Sequence, residues 1–210
     1  MKVGVLYVKG RQTNEDDIFS NSCNSKEYLF FLGQLGTRIQ LKDWNHFSGG
    51  LDVNGKNGEY SYHTNFSGYE IMFHVCTELP LNVEDPQQVE RKKHIGNDVV
   101  VVVYFDRPAD KNIEYLAETV VSHFNHVIIV VTPADVGREV PSFFVQYARK
   151  EGVMPFGPLS PRVPLKVSGY DLRDFLLCKV INAEFAAYAA PTFKNKFIQA
   201  RKALLQSLDS

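Results

Sequence analysis

An unbroken run of five valines, Val99–Val103, constrains the fold of this chain more than any other feature. A strand with one face in solvent alternates apolar and polar residues, so a run without alternation predicts a strand covered on both faces. Such a strand lies in the interior of a sheet. Other apolar runs predict strands at 2–8, 37–42, 59–65, 69–77, 126–132 and 142–149. Helical patterns alternate with these strands, which predicts an α/β or an α+β fold. Of the two, we expect the α/β class, with a central mixed sheet flanked by helices.

The helical patterns have recognisable boundaries. Asn24 and Glu27 resemble a capping box that opens a helix over about residues 25–35, and Gly36 is a plausible stop. Further helices are predicted over 112–123, over 171–190 and, after a break at Pro191, over 192–207. The segment 48–58 is rich in turn residues and predicts an exposed loop or hairpin, and four prolines in 154–168 exclude a helix interior or a central strand there. No repeat or linker divides the chain, so we expect one domain over residues 1–210.

Composition excludes several classes of protein. In the 210 residues, 23 Lys and Arg side chains oppose 24 Asp and Glu side chains, and the resulting net charge of −1 argues against a general nucleic-acid binder. No apolar run reaches the 18 or so residues that span a bilayer, so we expect no membrane insertion. Cys23, Cys76 and Cys178 are an odd number without a close pair, which predicts free thiols, a reducing compartment and a cytoplasmic protein.

Familiar catalytic motifs are missing. The sequence contains no G-x-x-x-x-G-K-[ST], G-x-G-x-x-G, G-x-S-x-G or H-E-x-x-H pattern. His123 and His126 lack an obvious third metal ligand, so a helix end entering a strand is the favoured interpretation and no metal site is expected. His74 and Cys76 share a strand face, but this spacing does not make an activated nucleophile, and a small buried cysteine is the simpler interpretation.

The segment before the valine run is the most informative. Asp85 can serve as an N-cap, Pro86 fits the first helical position, Gln88 completes a capping box and Gly96 can end the helix. The cations of Arg91-Lys92-Lys93-His94 suit the C-terminal end of its dipole. Asn97 then lies between a short helix and a central strand. On these residues alone, a solvated helix end and a turn asparagine remain open alternatives.

This segment resembles the catalytic domain of the RapGAP family, the GTPase-activating proteins for Rap, which are related to tuberin and the Ral GAPs. The run Gln87-Gln88 through Arg91-Lys92-Lys93-His94-Ile95-Gly96-Asn97-Asp98 is similar to the family's Q-Q-x-x-R-K-R-H-I-G-N-D, and Glu70-Ile71-Met72-Phe73-His74-Val75 to its E-I-M-F-H-V. Other similar runs, in the family's order, are Gly4-Val5-Leu6-Tyr7, Gly49-Gly50-Leu51-Asp52, Pro155-Phe156-Gly157-Pro158, Asp174-Phe175-Leu176-Leu177 and Lys179-Val180-Ile181-Asn182-Ala183-Glu184.

The resemblance implies a fold related to the G domains on which the family acts, with C-terminal helices. It implies that Asn97 is the catalytic residue, the asparagine thumb that the family inserts into a GTPase, and that His94 positions the thumb or contacts the GTPase. It also implies GTPase-binding roles for Arg91, Lys92, Lys93, Asp98 and Arg201. The chain would then be an activator without a cofactor of its own, since GTP and Mg²⁺ belong to a Rap-type partner in its GTP state.

Two residues depart from the family pattern. Lys93 stands where many Rap GAPs have arginine, which keeps the charge but loses the bidentate fork. Gln199 replaces an arginine of the last helix, while Arg201 is kept. Both departures bear on partner choice, and a GAP for Rheb or Ral and a non-catalytic GTPase-binding scaffold remain the alternatives. We expect the chain to be a fragment of a longer protein, and the N-terminal dimerisation region typical of Rap GAPs is absent from it. A homodimer of the full-length protein remains an open alternative.

Overall fold

The computed structural model describes residues 1–10, 12–23, 25–106, 122–135, 137–159 and 164–208. The strands within these ranges are β1 (Lys2–Lys9), β2 (Thr37–Gln40), β3 (Tyr60–Phe66), β4 (Tyr69–Val75), β5 (Val100–Asp106), β6 (Val127–Pro133), β7 (Ser142–Arg149) and β8 (Leu165–Ser168). The helices are α1 (Glu15–Phe19), α2 (Lys26–Leu35), α3 (Val89–Gly96), α4 (Gly169–Tyr188) and α5 (Pro191–Leu208).

The strands form one mixed sheet in the order β2-β3-β4-β1-β5-β6-β7-β8. The four strands in the middle, β4, β1, β5 and β6, run parallel, and the outer pairs on both sides are antiparallel. The predicted α/β class with a central mixed sheet is therefore confirmed. The valine run belongs to β5, which pairs with β1 on one side and β6 on the other.

Helices cover both faces of β5. Val100, Val102 and Tyr104 belong to a hydrophobic cluster that also contains buried residues of α2 and α4. Val101 and Val103 point to the opposite face and share a second cluster with residues of α1 and α3. Each fully buried valine contributes on the order of 1.5–3 kcal/mol through removal of its surface from water. This double coverage is why the run has no polar position, as the sequence predicts.

Several predicted helix boundaries are shifted. Helix α2 begins at Lys26 because the Ser25 hydroxyl accepts from the Tyr28 N–H, so Ser25 is the N-cap in place of the predicted Asn24, which lies outside the described residues. Gly36 ends α2 as predicted. Helix α1 has no counterpart in the sequence prediction, and the Asn14 side chain caps it by accepting from the Asp16 N–H.

The C-terminal half follows the sequence prediction closely. Pro191 separates the last two helices, and it is the first residue of α5. Strand β8 begins after Pro164 and lies at the edge of the sheet. The proline-rich segment 154–168 therefore contains no central strand, as its prolines predict. The helix predicted over 112–123 lies almost entirely outside the described residues, and Ser122 and His123, which are described, are not helical.

The turn-rich segment 48–58 is not simply an exposed loop, which corrects the sequence prediction. Its Leu51 is buried in a cluster with Leu41, Met72 and Leu79. Gly49 has a φ of +65°, and a side chain there would begin 3.1 Å from the His74 imidazole. The segment therefore packs against the sheet beside β4. Among the described helices, none is long and apolar enough to cross a membrane.

Candidate functional site

Helix α3, which leads to Asn97, begins later than the sequence predicts. Its N-cap is Gln88, whose backbone is left-handed, and Pro86 precedes the helix instead of starting it. The Gln88 side-chain amide donates to the carbonyls of Asn82 and Asp85, while the Asp85 carboxylate accepts from the N–H groups of Gln87 and Val89. These bonds hold 82–88 as a turn, so Asp85 and Gln88 do not form the predicted capping box.

Asn97 is the C-cap of α3, and its side chain is exposed. Its N–H donates to the carbonyl of His94 at 3.2 Å, and the N–H of the next residue, Asp98, donates to Ile95 at 3.2 Å. The last helical turn therefore closes on itself before β5 begins. The prediction that Asn97 lies where a short helix meets a central strand is confirmed, and we refer to residues 95–99 as the α3–β5 junction.

Asp98 points inward and anchors the junction. Its carboxylate is fully buried, accepts from Nδ1 of His74 at 2.9 Å and lies 3.6 Å from the Lys2 ammonium. Gly4 of β1 permits this packing, because a Cβ at that position would be 3.1 Å from the Asp98 carboxylate. The expectation that Asp98 binds a GTPase is corrected, since a side chain without exposed surface holds the fold and does not reach a partner.

His94 is half-buried, and its ring packs edge-on against His74 with 5.3 Å between the ring centroids. Its Nε2 is buried without a hydrogen-bond partner. Burial lowers the pKa of His94, and the neighbouring His74 lowers it further. The imidazole therefore packs against His74 behind the junction, and this burial fits the predicted positioning role better than a contact with the GTPase.

Arg91 also points inward, which corrects its assignment as a GTPase-binding residue. Its side chain is 2% exposed, and its guanidinium donates to the carbonyls of Phe19, Asn21, Leu79 and Pro80 at 2.7 to 3.1 Å. These carbonyls belong to the end of α1 and to the segment after β4. Arg91 therefore ties α3 to two other parts of the chain.

The two lysines of α3 differ in their surroundings. The Lys92 ammonium bridges the carboxylates of Glu15 and Asp16 at 3.1 and 2.5 Å, so its charge is compensated by α1. The Lys93 side chain is 62% exposed, and its ion pair with Glu90, at 3.8 Å between two exposed groups, is weak. Lys93 is therefore the α3 cation that remains available to an acidic partner.

Asn97 lies on the wall of a cleft of about 370 Å³. The other residues that line the cleft are Glu15, Phe19, Lys92, Lys93, Gly96, Ser122, His123 and Phe124. The cleft thus combines an exposed carboxamide, aromatic surface and the Lys93 ammonium with the ion pair of Lys92 and Glu15.

The segment 122–125 donates hydrogen bonds to carbonyls of the junction. The Asn125 amide donates to the carbonyls of Ile95 and Asp98 at 2.9 and 2.5 Å, and the Ser122 hydroxyl donates to the carbonyl of Gly96 at 2.5 Å. Sequence reasoning missed both residues. No pattern signals them, because the contact joins segments that are far apart in the chain.

Arg201 is not brought to this site. It is exposed on α5, and within the described residues no hydrogen bond or ion pair joins it to α3. His126 is engaged elsewhere, through the Phe124 carbonyl and the Thr192 hydroxyl. The described residues contain no group of three or more His, Cys, Asp or Glu side chains that could hold a metal ion.

Cys76 is fully buried near the site, and burial raises its pKa to about 12. Its thiol contacts the Phe19 carbonyl. A thiol with so high a pKa is not a nucleophile at neutral pH. The interpretation of Cys76 as a core residue agrees with this environment.

Comparison with known proteins identifies relatives along almost the whole chain. The profile of the Rap/ran-GAP family matches residues 18–202. A PH and Rap-GAP domain-containing protein of Dictyostelium discoideum is 42% identical over 206 residues, which are 97% of this chain and 17% of the relative. The human GTPase-activating Rap/Ran-GAP domain-like protein 3 is 39% identical over 208 residues, 99% of this chain and 20% of the relative.

Among solved structures, the TSC2 GAP domain is similar, with a TM-score of 0.75 and 35% sequence identity over 89% of this chain and 95% of that domain. The chain spans about a fifth of the length of the two curated relatives described above. The likeness therefore concerns one domain of those larger proteins.

Proposed function

The chain belongs to the Rap/ran-GAP family, and from that premise we propose that it accelerates GTP hydrolysis on a small GTPase of the Rap type. The proposal assigns the catalytic contact to the carboxamide of Asn97, inserted into the nucleotide site of the partner. The observation that carries it is that the Asn97 side chain is exposed, while the carbonyls of Ile95, Gly96 and Asp98 on both sides of it accept hydrogen bonds. The two curated relatives are named as a Rap-GAP domain-containing protein and a GTPase-activating protein. These names support a GTPase-activating role for the domain that the chain shares with them.

The chemistry of GTP hydrolysis suits a carboxamide. The reaction needs a water molecule in line with the γ-phosphate and stabilisation of charge on the phosphoryl oxygens. An asparagine side chain can accept from that water through its oxygen and donate towards a phosphoryl oxygen through its nitrogen. Orientation alone can supply several kcal/mol of the barrier, about 7–11 kcal/mol in the best intramolecular cases. A fixed Asn97 can therefore accelerate the reaction without acting as a strong base.

The partner, in this proposal, brings the nucleotide and its Mg²⁺. The sequence has no phosphate-binding P-loop motif, which is consistent with a chain that completes another protein's site. Lys93 and the cleft beside Asn97 offer positive charge and aromatic surface to the acidic, nucleotide-bearing face of a GTPase. The GTP-bound state is the expected partner because the γ-phosphate is present only there.

Single-turnover hydrolysis tests the proposal and names the substrate. Rap, Rheb and Ral, each loaded with GTP, are mixed with the wild-type protein or with Asn97→Ala. We expect strong acceleration on Rap that falls by about 100-fold or more in the variant, as when a preorganised donor is removed from an active site. Acceleration on Rheb or Ral alone would keep the mechanism and change the substrate.

Two other outcomes reject the mechanism. Binding of a GTPase without acceleration would make the chain a scaffold. Acceleration that survives in Asn97→Ala would show that another residue supplies the catalytic group. Equal thermal unfolding of the two proteins is the control that the variant is folded, and we expect it because the Asn97 side chain is exposed.

A further inference from the structure

Asn125 is a buried amide that binds both sides of the residue proposed to be catalytic. It precedes β6, and its side chain is 4% exposed. Its Nδ2 donates to the carbonyl of Ile95, before Asn97, and to that of Asp98, after it. The Asn125 side chain thus binds the backbone on both sides of Asn97, whose carboxamide must be oriented for the reaction.

The orientation of this amide follows from its partners. Both partners are carbonyl oxygens, which only accept, so the nitrogen of Asn125 must face them. The Oδ1 atom is then left buried without a hydrogen-bond partner. A buried unpaired acceptor costs about 1–3 kcal/mol. The two hydrogen bonds that the Asn125 Nδ2 donates to the junction offset this cost.

Neighbouring groups complete a bracket, by which we mean Ser122, Asn125 and Lys150. The Ser122 hydroxyl donates to the carbonyl of Gly96, so the carbonyls of Ile95, Gly96 and Asp98 all accept from the bracket. Carbonyls at a helix C-terminus lack partners within the helix and otherwise bind water or shift. The bracket therefore supplies the hydrogen-bond donors that these carbonyls lack within the helix.

The bracket is itself anchored to the sheet. The Lys150 ammonium donates to the carbonyls of Ser122 and His123 at 2.6 and 3.1 Å. The Lys150 N–H donates to the His126 carbonyl, and the His126 N–H donates to Val99 at the start of the valine run. Residues 122–123 and the junction are therefore both linked by hydrogen bonds to the segments in which β5 and β6 begin.

We infer that Asn125 is a positioning residue for the GTPase-activating reaction, one that sets the direction in which the Asn97 side chain is presented. The inference rests on the proposed function. A displacement of about 1 Å at a reacting group can cost about 100-fold in rate. Loss of the two bonds is therefore expected to lower the maximal stimulated rate by 10- to 100-fold. Affinity for the GTPase changes less than threefold, because Lys93 and the cleft surface stay in place.

The test uses Asn125→Leu, which keeps the number of side-chain heavy atoms and the branching at Cγ and removes both donors. The maximal stimulated hydrolysis rate and the half-saturating GTPase concentration are measured separately on the responsive GTPase. Asn57→Ala is the matched control, because Asn57 is also buried and bonds a backbone group, the N–H of Asp52, away from the cleft. We expect the control to keep the wild-type rate. An Asn125→Leu variant that keeps the wild-type rate, or that loses affinity alone, overturns the inference.

A double variant separates positioning from general damage. In the Asn97→Ala background, Asn125→Leu should cause no further loss of rate, because Asn125 acts only through Asn97. A further tenfold loss in that background overturns the inference. If Asn125→Leu does not fold, Ser122→Ala removes one bond of the bracket at a less buried position. A several-fold loss of rate is expected there, and an unchanged rate overturns the inference.

Amide hydrogen exchange gives a readout that does not depend on the proposed function. The N–H groups of Asn97 and Asp98 are bonded within the junction, and we expect their exchange to accelerate about tenfold in Asn125→Leu relative to Asn57→Ala. Unchanged exchange overturns the positioning role even if no GTPase responds. Faster exchange without stimulation by the wild-type protein supports the bracket and rejects the proposed function.

Discussion

Burial divides the polar side chains between Arg91 and Asp98 into two groups. Arg91 and Asp98 are buried and bond to backbone or to His74, while Lys93 and Asn97 are exposed. The first group holds the junction, and the second faces the cleft. Variants of the two groups should therefore differ in kind, with the first changing stability and the second changing activity.

The Arg91 guanidinium gives the clearest prediction about stability. In Arg91→Met the carbonyls of Phe19, Asn21, Leu79 and Pro80 lose their donors inside the protein. We expect the free energy of unfolding to fall by about 3 kcal/mol or more, since each unsatisfied buried acceptor costs about 1–3 kcal/mol. Chemical denaturation measures it. Lys93→Met, an exposed change on the same helix, should stay within about 0.5 kcal/mol; equal losses in the two variants would contradict the assignment.

The lowered pKa of His94 predicts a dependence of stability on pH. In the unfolded chain a histidine titrates near about 6.5, and burial places the folded pKa of His94 below that. As the pH falls through this window, the unfolded state takes up the proton first, so stability that is present at pH 7 is lost towards pH 5. The groups around His94 that act on this titration are His74, Lys93, Glu90 and Asp98.

His94→Gln removes that titration. Denaturation of both proteins at several values between pH 7 and pH 5 should show a smaller loss of stability in the variant. Parallel losses would mean that His94 does not titrate in the way its burial requires.

At the scale of elements, much could be predicted from sequence. Strands β1 to β7 and the break at Pro191 follow from apolar runs and proline, which are local signals, whereas the edge strand β8 has no counterpart in the sequence prediction. The start of α3 and the N-cap of α2 could not be placed, because Gln88 and Ser25 compete with equally good caps nearby and bonds to other residues decide between them. The bracket at Asn125 was beyond prediction, since its bonds join segments that no local pattern connects.

Helix α4 carries a buried lysine that joins two of the motifs identified in the sequence. The Lys179 ammonium donates to the carbonyls of Phe156 and Pro158 and lies 3.8 Å from the centroid of the Tyr147 ring. Burial lowers its pKa to about 8. Lys179 therefore holds the segment 156–158 against α4.

Lys179→Met should lower the free energy of unfolding by about 2 kcal/mol, because the carbonyls of Phe156 and Pro158 lose their donor and an unsatisfied buried acceptor costs about 1–3 kcal/mol. The unfolded lysine titrates near about 10.4, so the wild-type protein gains stability as the pH rises from 8 towards 10, and the difference from the variant grows. Denaturation at pH 7 and pH 9.5 measures both effects. Lys194→Met, at an exposed position of α5, is the control. If Lys179→Met proves as stable as Lys194→Met, the role of Lys179 is refuted.

At the scale of the whole molecule, the site lies at the amino ends of β1, β5 and β6, where His74 also reaches it from near the carboxyl end of β4. The residues around Asn97 include Lys2 and Gly4 at the start of β1, Val99 before β5 and Asn125 before β6. Open α/β sheets usually bind small ligands at the carboxyl ends of their strands. A side chain presented at the opposite edge fits a chain that acts on a partner protein.

The central claim is that the Asn97 carboxamide, held by the α3–β5 junction, supplies the group that completes the partner's site. The most direct measurement compares Asn97→Asp with Asn97→Ala and the wild-type protein in single-turnover GTP hydrolysis on the responsive GTPase. Aspartate keeps the size and shape of asparagine, but its charge is repelled by the γ-phosphate and it lacks the donor. We predict that Asn97→Asp fails nearly as completely as Asn97→Ala. A rate close to that of the wild-type protein in Asn97→Asp would contradict the carboxamide mechanism.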